Sequence, residues 1–169
     1  MLDTIVRYLH GARVPFKLTS YPSEEPSPHA AHPMPPHSVL VDTEIIRVGD
    51  RVALACFPAG ESADYAAIGT ALGGVAVAGD ASDLPGELAT MPPPIPPLGQ
   101  LTGLTLVVEE RLAESVTLVF QASGGDDFFE VPYEDWARLE APRIAAFASK
   151  GELPAHRASP SGRTRPAAH

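Results

Sequence analysis

Eleven of the nineteen prolines in this chain of 169 residues fall in two clusters. In Met91–Gly99, MPPPIPPLG, five of nine residues are proline: Pro92, Pro93, Pro94, Pro96 and Pro97. Each fixes its own φ at about −65° and pushes its predecessor toward extended backbone. A loop this stiff loses little entropy on ordering. The amides it can offer are those of Ile95, Leu98, Gly99 and Gln100, because proline has none. Placed ahead of a hydrophobic strand, such a loop suits clamping a ligand; by composition alone a rigid connector or polyproline linker is the better reading. The second cluster, Tyr21–Pro36, holds six prolines and few aliphatic side chains, so it reads as a long surface loop.

Outside these clusters the hydrophobic periodicity is clear. Leu2, Ile5, Val6 and Leu9 fall at i, i+3, i+4 and i+7, the stripe of an amphipathic helix ending at Gly11. Val14–Ser20 is a short strand. Ser38–Ile46 and Arg51–Phe57 are strands joined by a turn at Val48-Gly49-Asp50. Glu61–Leu72 is a helix with Ser62 or Asp64 near its start and Gly73-Gly74 as its stop. Val75–Ala78 is a strand, and Leu84–Met91 a helix with Pro85 near its first position. Leu104–Glu109, Ser115–Gln121 and Asp127–Val131 are strands. A last helix begins near Tyr133, buries Trp136 and Leu139, and is broken or kinked by Pro142 before Ile144 and Phe147. Hairpins mixed with strand–helix–strand steps predict a mixed α+β (α/β) fold: a curled, partly barrel-like mixed sheet of about six to seven strands with surrounding helices.

Residues 150–169 show no apolar periodicity and read as a disordered tail, leaving residues 1–149 as one domain. The net charge is −9. The tail contributes +3 from Lys150, Arg157, Arg163 and Arg165 against Glu152, so residues 1–149 carry −12. That balance argues against a general nucleic-acid face and against DNA as a partner. The single cysteine, Cys56, lies in an apolar run and reads as a buried thiol in a reducing compartment. No apolar run reaches the roughly 20 residues of a membrane span, and charged Asp3 and Arg7 argue against a signal peptide. These features predict a cytoplasmic protein with no membrane partner.

Several strings in the same order resemble the YbaK family, the prolyl-tRNA-synthetase-associated editing domains that hydrolyse misacylated tRNA. They are LHGARVPFKLTSYP, SVLVDTEIIRVGDRVALACFPAG, ADYAAIGTALGG, the proline loop ending in Pro97-Leu98-Gly99, LTLVVEERL, and VTLVFQASGGDDFFEVPYEDWARL, together covering about residues 1–148. The resemblance implies an aminoacyl-tRNA deacylase acting in trans on a tRNA that bears a small amino acid. It implies the tRNA 3′ end as partner, an aminoacyl-tRNA synthetase as a further one, and no cofactor. The family's lysine, just before the first hairpin strand, is met here by His37, which can act as a hydrogen-bonding group or, protonated, as a weak cation. Its Gly-x-x-x-Pro loop is met by Pro97 at the proline but by Pro93 at the glycine. The acidic strand position falls on Glu109 and the small turn on Ser123-Gly124-Gly125.

Ester hydrolysis needs a positioned water and donors aimed at the developing oxyanion. Leu98 and Gly99 are the candidate amide donors beside His37. Pro93, Pro97, Glu109, Ser123 and Gly124 are the candidate substrate-binding residues. No nucleophile–base–acid set is visible. The missing lysine, Pro93 in place of glycine and the acidic folded part support the rival reading, a catalytically degenerate binding module on the same fold. His29, His32, Met34 and His37 also suggest metal binding, but prolines interleave them, so adventitious binding is the better reading and no metal site is expected.

Overall fold

The computed structural model describes residues 1–21, 32–122, 124 and 126–150. The segment carrying His29, the turn residues Ser123 and Gly125, and all of the tail except Lys150 lie outside them.

The fold is organised on β2 (Ser38–Val48), whose local alternation continues through the Gly49 turn into β3 (Arg51–Pro58). These two strands pair antiparallel from Val41↔Pro58 to Val48↔Arg51. The other edge of β2 is divided. Ser38–Leu40 pairs in parallel with β7 (Thr117–Gln121), whereas Ile46–Val48 pairs with β5 (Ala76–Ala78). The path β1-β8-β7-β2-β3-β6-β9, with β5 on β2, makes an eight-stranded mixed sheet. It adds β1 (Lys17–Ser20), β6 (Thr105–Glu109), β8 (Asp127–Pro132) and β9 (Arg143–Ala145). The sheet is open and curled, as the sequence predicts, with β9, after Pro142, as a further strand. A separate pair joins β4 (Ser62–Ala63) to β10 (Ala148–Ser149).

The divided edge of β2 also separates two cores. Val41 joins a larger core with Ile5 and Leu9 of α1 (Leu2–Gly11), the loop residues Met91, Ile95 and Leu98, and Trp136. Ile46 and Val48 join a smaller core with Ile68 and Leu72 of α2 (Tyr65–Leu72) and with Phe147. Asp64 caps α2 by accepting from the Ala66 and Ala67 amides, and Gly73 ends it at φ +77°. Cys56 is fully buried, and burial pushes its thiol up to about 12. No described helix is long and apolar enough to cross a membrane.

One expected helix is corrected. Over Leu84–Met91 the chain instead makes 3-10 turns at Ala81–Asp83 and Gly86–Thr90. Asp80 and Asp83 close the first turn on each other's backbone, and extended Pro85 followed by Gly86 at φ +58° prevents continuation. The last helix, α4 (Tyr133–Glu140), stops at Ala141 with φ +44°, and Arg143–Ala145 joins the sheet beside β6. A four-residue helix, α3 (Gly99–Thr102), follows the proline loop; it is too short to show periodicity.

Candidate functional site

The proline loop is anchored by its exit. Met91 and Ile95–Gly99 are buried, whereas Pro92 and Pro93 are exposed, and the Pro93–Pro94 peptide bond is cis. Trp136, fully buried on α4, donates Nε1–H to the Pro97 carbonyl at 2.9 Å, a bond worth about 1 kcal/mol net. The Leu98 amide donates to the Pro96 carbonyl at 2.8 Å. The amides of Gln100 (2.9 Å) and Gly99 both donate to the Glu140 carboxylate. Tyr8 donates its hydroxyl to the other oxygen of that carboxylate at 2.8 Å. Burial raises the Glu140 carboxyl above its ordinary range, and these three donors only partly offset the shift. A Cβ on Gly99 would stand 2.5 Å from the Leu104 carbonyl oxygen, so glycine is required there by packing. A cavity of about 460 Å³ lies alongside, lined by Gly99, Gln100, Leu106, Glu140 and Arg143 among others.

Glu109 is 2% exposed and holds the C-terminal strands. It accepts the amides of Phe147 (2.7 Å) and Ala148 (2.6 Å) and the Arg111 Nε–H (3.3 Å). Arg111 also grips Glu61 and donates to the Ala148 carbonyl. Burial pushes the Glu109 carboxyl up, but the two amides and Arg111 outweigh it and hold the group below its ordinary range. Its oxygens therefore have partners already.

His37 is exposed at the entry to β2, with φ +55° and its carbonyl accepting the Val116 amide at 2.8 Å. Gly99 packs against Leu106, which is level with Leu54 and Ile45 in the register. From Ser38 to Ile45 the strand runs about 23 Å at roughly 3.3 Å per residue. Gly124, exposed at φ +99°, lies in the turn between β7 and β8. Leu98, Gly99 and Pro97 thus share one buried corner, and the Gly99 cavity includes neither His37 nor Glu109.

Beside His37 lies a groove of about 290 Å³, lined by Phe16, Lys17, Pro35, Thr117 and Glu130 among others. The Thr117 amide reaches the His37 carbonyl at 3.4 Å. Lys17 and Glu130 are cross-strand partners on β1 and β8, with Nζ 3.5 Å from Oε2. Against the same face, the His32 ring stacks on Phe128 at 4.5 Å and 5°. Its Nδ1 lies 2.8 Å from the Tyr21 hydroxyl. Burial lowers the His32 pKa against an opposing pull from Glu130, with Lys17 adding to the lowering. His32 Nε2 and Glu130 Oε2 are buried without a hydrogen-bond partner among the described residues. In the sequence His32 stands out only as a metal candidate, and no local signal marks Lys17, Tyr21 or Glu130 as its neighbours. Alternation places Lys17 and Glu130 on strands but cannot say that those strands pair. Among the described residues no three His, Cys, Asp or Glu side chains gather as a metal site.

No protein-family model and no curated protein matches the sequence. The fold does match solved structures. A proposed trans-editing enzyme for prolyl-tRNA synthetase superposes with a TM-score of 0.66 at 14% identity, over 87% of this chain and 96% of that one. A hypothetical protein gives 0.65 at 14%, over 86% and 99%. A proposed signal-transduction protein from Marinobacter aquaeolei VT8 gives 0.64 at 19%, over 85% of this chain. This chain spans only 30% of the length of that last protein. At such identities the likeness is one of fold.

Proposed function

We propose that the chain is a binding module for the aminoacyl ester at the 3′ end of a tRNA bearing a small amino acid, with little hydrolysis of its own. The YbaK resemblance and the fold shared with a proposed trans-editing enzyme support the ligand class. One observation favours binding over turnover: the amides of Leu98, Gly99 and Gln100 are already engaged by the Pro96 carbonyl and the Glu140 carboxylate. An oxyanion hole requires donors aimed at the developing charge, and a resident carboxylate competes for these.

Hydrolysis of the same ester is the second reading, favoured by unpartnered His32 Nε2. A neutral imidazole nitrogen can take the proton of a water attacking the ester carbonyl and return it to the ribose oxygen as the carbon–oxygen bond breaks. The experiment measures both binding and amino-acid release on tRNAs mischarged with small amino acids, for wild type, His37→Ala and His37→Lys. Binding without release is expected, strengthened by the lysine, whose ammonium is a permanent partner for phosphate. Release above background supports the second reading, and no binding by any of the three overturns both.

A further inference from the structure

The C-terminal end of α2 gathers two arginines from distant parts of the chain. Arg51, the first residue of β3, donates Nη2–H to the Leu72 carbonyl at 2.8 Å. Arg143, the first residue of β9, donates Nη1–H to the carbonyl of the preceding helical residue, Ala71, at 2.9 Å. Carbonyls of consecutive helical residues are neighbours, so the two nitrogens stand within about 10 Å of each other. Both arginines are exposed. Among the described residues neither has a carboxylate within ion-pair distance, not even Asp50 beside Arg51 in the turn. A guanidinium has several N–H donors, and each of these bonds to the helix uses one. The helix terminus supplies only about half a negative charge against two full positive ones. Like charges held side by side repel, and an anion between them relieves that repulsion.

We propose that Arg51 and Arg143 form a subsite for a phosphodiester of a nucleic-acid backbone. Guanidinium forks match phosphate oxygens with paired hydrogen bonds. Glu140 shares the lining of the adjoining cavity with Arg143, and its carboxylate disfavours a phosphate inside, so the phosphate lies on the outer side of the pair. Under the function proposed above, on which the identity of the ligand rests, the phosphodiester belongs to the acceptor arm of the tRNA. Val48, the cross-strand partner of Arg51, lies about 33 Å along β2 from Ser38 at roughly 3.3 Å per residue. A ligand that reaches both the groove beside His37 and this pair is therefore long and carries phosphates at repeated intervals, as an RNA strand does. A small phosphorylated molecule reaches only one of them.

The test uses the full chain and three probes: an acceptor-arm RNA hairpin ending in a 3′-alanylamino group, the phosphate-free 3′-deoxy-3′-(alanylamino)adenosine, and inorganic phosphate. Glutamine keeps a donor for the helix carbonyl without the charge, and melting curves establish that the variants fold. Arg51→Gln and Arg143→Gln should each weaken hairpin binding at least threefold and lower its salt slope by about one. Nucleoside binding by Arg51→Gln should stay unchanged. Arg51→Lys, which restores the charge, should restore the slope, as a merely structural role would not. Unchanged hairpin affinity in both folded glutamine variants overturns the subsite and leaves the tRNA-end reading standing. Arginine-dependent binding of phosphate without binding of the hairpin assigns the pair to a small anion and overturns the phosphodiester. If the hairpin binds through the arginines equally well with and without its alanyl group, the subsite stands and the tRNA-end reading falls. If no probe binds, both fall.

Discussion

Replacing Glu109 by alanine should detach the C-terminal strands from the sheet. The side chain is the acceptor for the Phe147 and Ala148 amides and a partner of Arg111. Hydrogen bonds to a charged group contribute about 1.5–3 kcal/mol each. Phe147 is 4% exposed, so its amide is left without water, whereas Ala148 is half-buried and can turn to solvent. Arg111 keeps Glu61, which limits its loss. The expected cost is about 3 kcal/mol, read by urea unfolding of wild type and Glu109→Ala at pH 7. Amide exchange should rise selectively over residues 143–149. The pH dependence has a definite sign. A carboxyl whose folded pKa is depressed contributes stability above its unfolded value, about 4.3, and loses it as pH falls further. Glu109→Gln should therefore flatten the acid limb of the stability profile. A cost below about 1 kcal/mol, or uniform exchange throughout the sheet, would refute the clamp.

Two other substitutions probe the neighbouring elements. Gly99→Ala should cost about 2–3 kcal/mol, since its Cβ would meet the Leu104 carbonyl oxygen at 2.5 Å and such overpacking forces backbone shifts; thermal melts of the variant check this. Burial lowers the His32 pKa, so the unfolded chain takes up the proton first as pH drops below about 6.5 and stability declines with acidification. His32→Phe, which retains a ring over Phe128, should reduce that slope in melts between pH 5 and 7, taken as roughly the histidine titration range.

Features encoded by neighbouring residues were legible in the sequence. The stripe of α1, the turn at Gly49 and the Asp64 cap are signals within a few residues, and they yield α1, the β2–β3 hairpin and α2. Features created by distant partners were not. Ile144 and Phe147 keep an apolar spacing that suits a helix, yet Glu109, thirty-eight residues before Phe147, captures that segment's backbone. The same side chain therefore reads as a pocket carboxylate until its partners are known. The proline loop was legible as stiff and amide-bearing, but Glu140 enters from α4 to occupy those amides. His37 was legible as a strand entry. The groove beside it needs β1 against β8 and His32 folded onto Phe128, pairings that no local pattern encodes.

The central claim is the proposed binding of the aminoacyl end of a tRNA, with the groove beside His37 as its candidate place. Its most direct test is a titration of isotope-labelled protein with 3′-deoxy-3′-(alanylamino)adenosine, followed by amide chemical shifts. The account predicts saturable shifts at Phe16, Lys17, Thr117 and Glu130, with Gly99, Gln100 and Arg143 undisturbed. Shifts concentrated instead at Gly99, Gln100 and Arg143, around the 460 Å³ cavity, would contradict it.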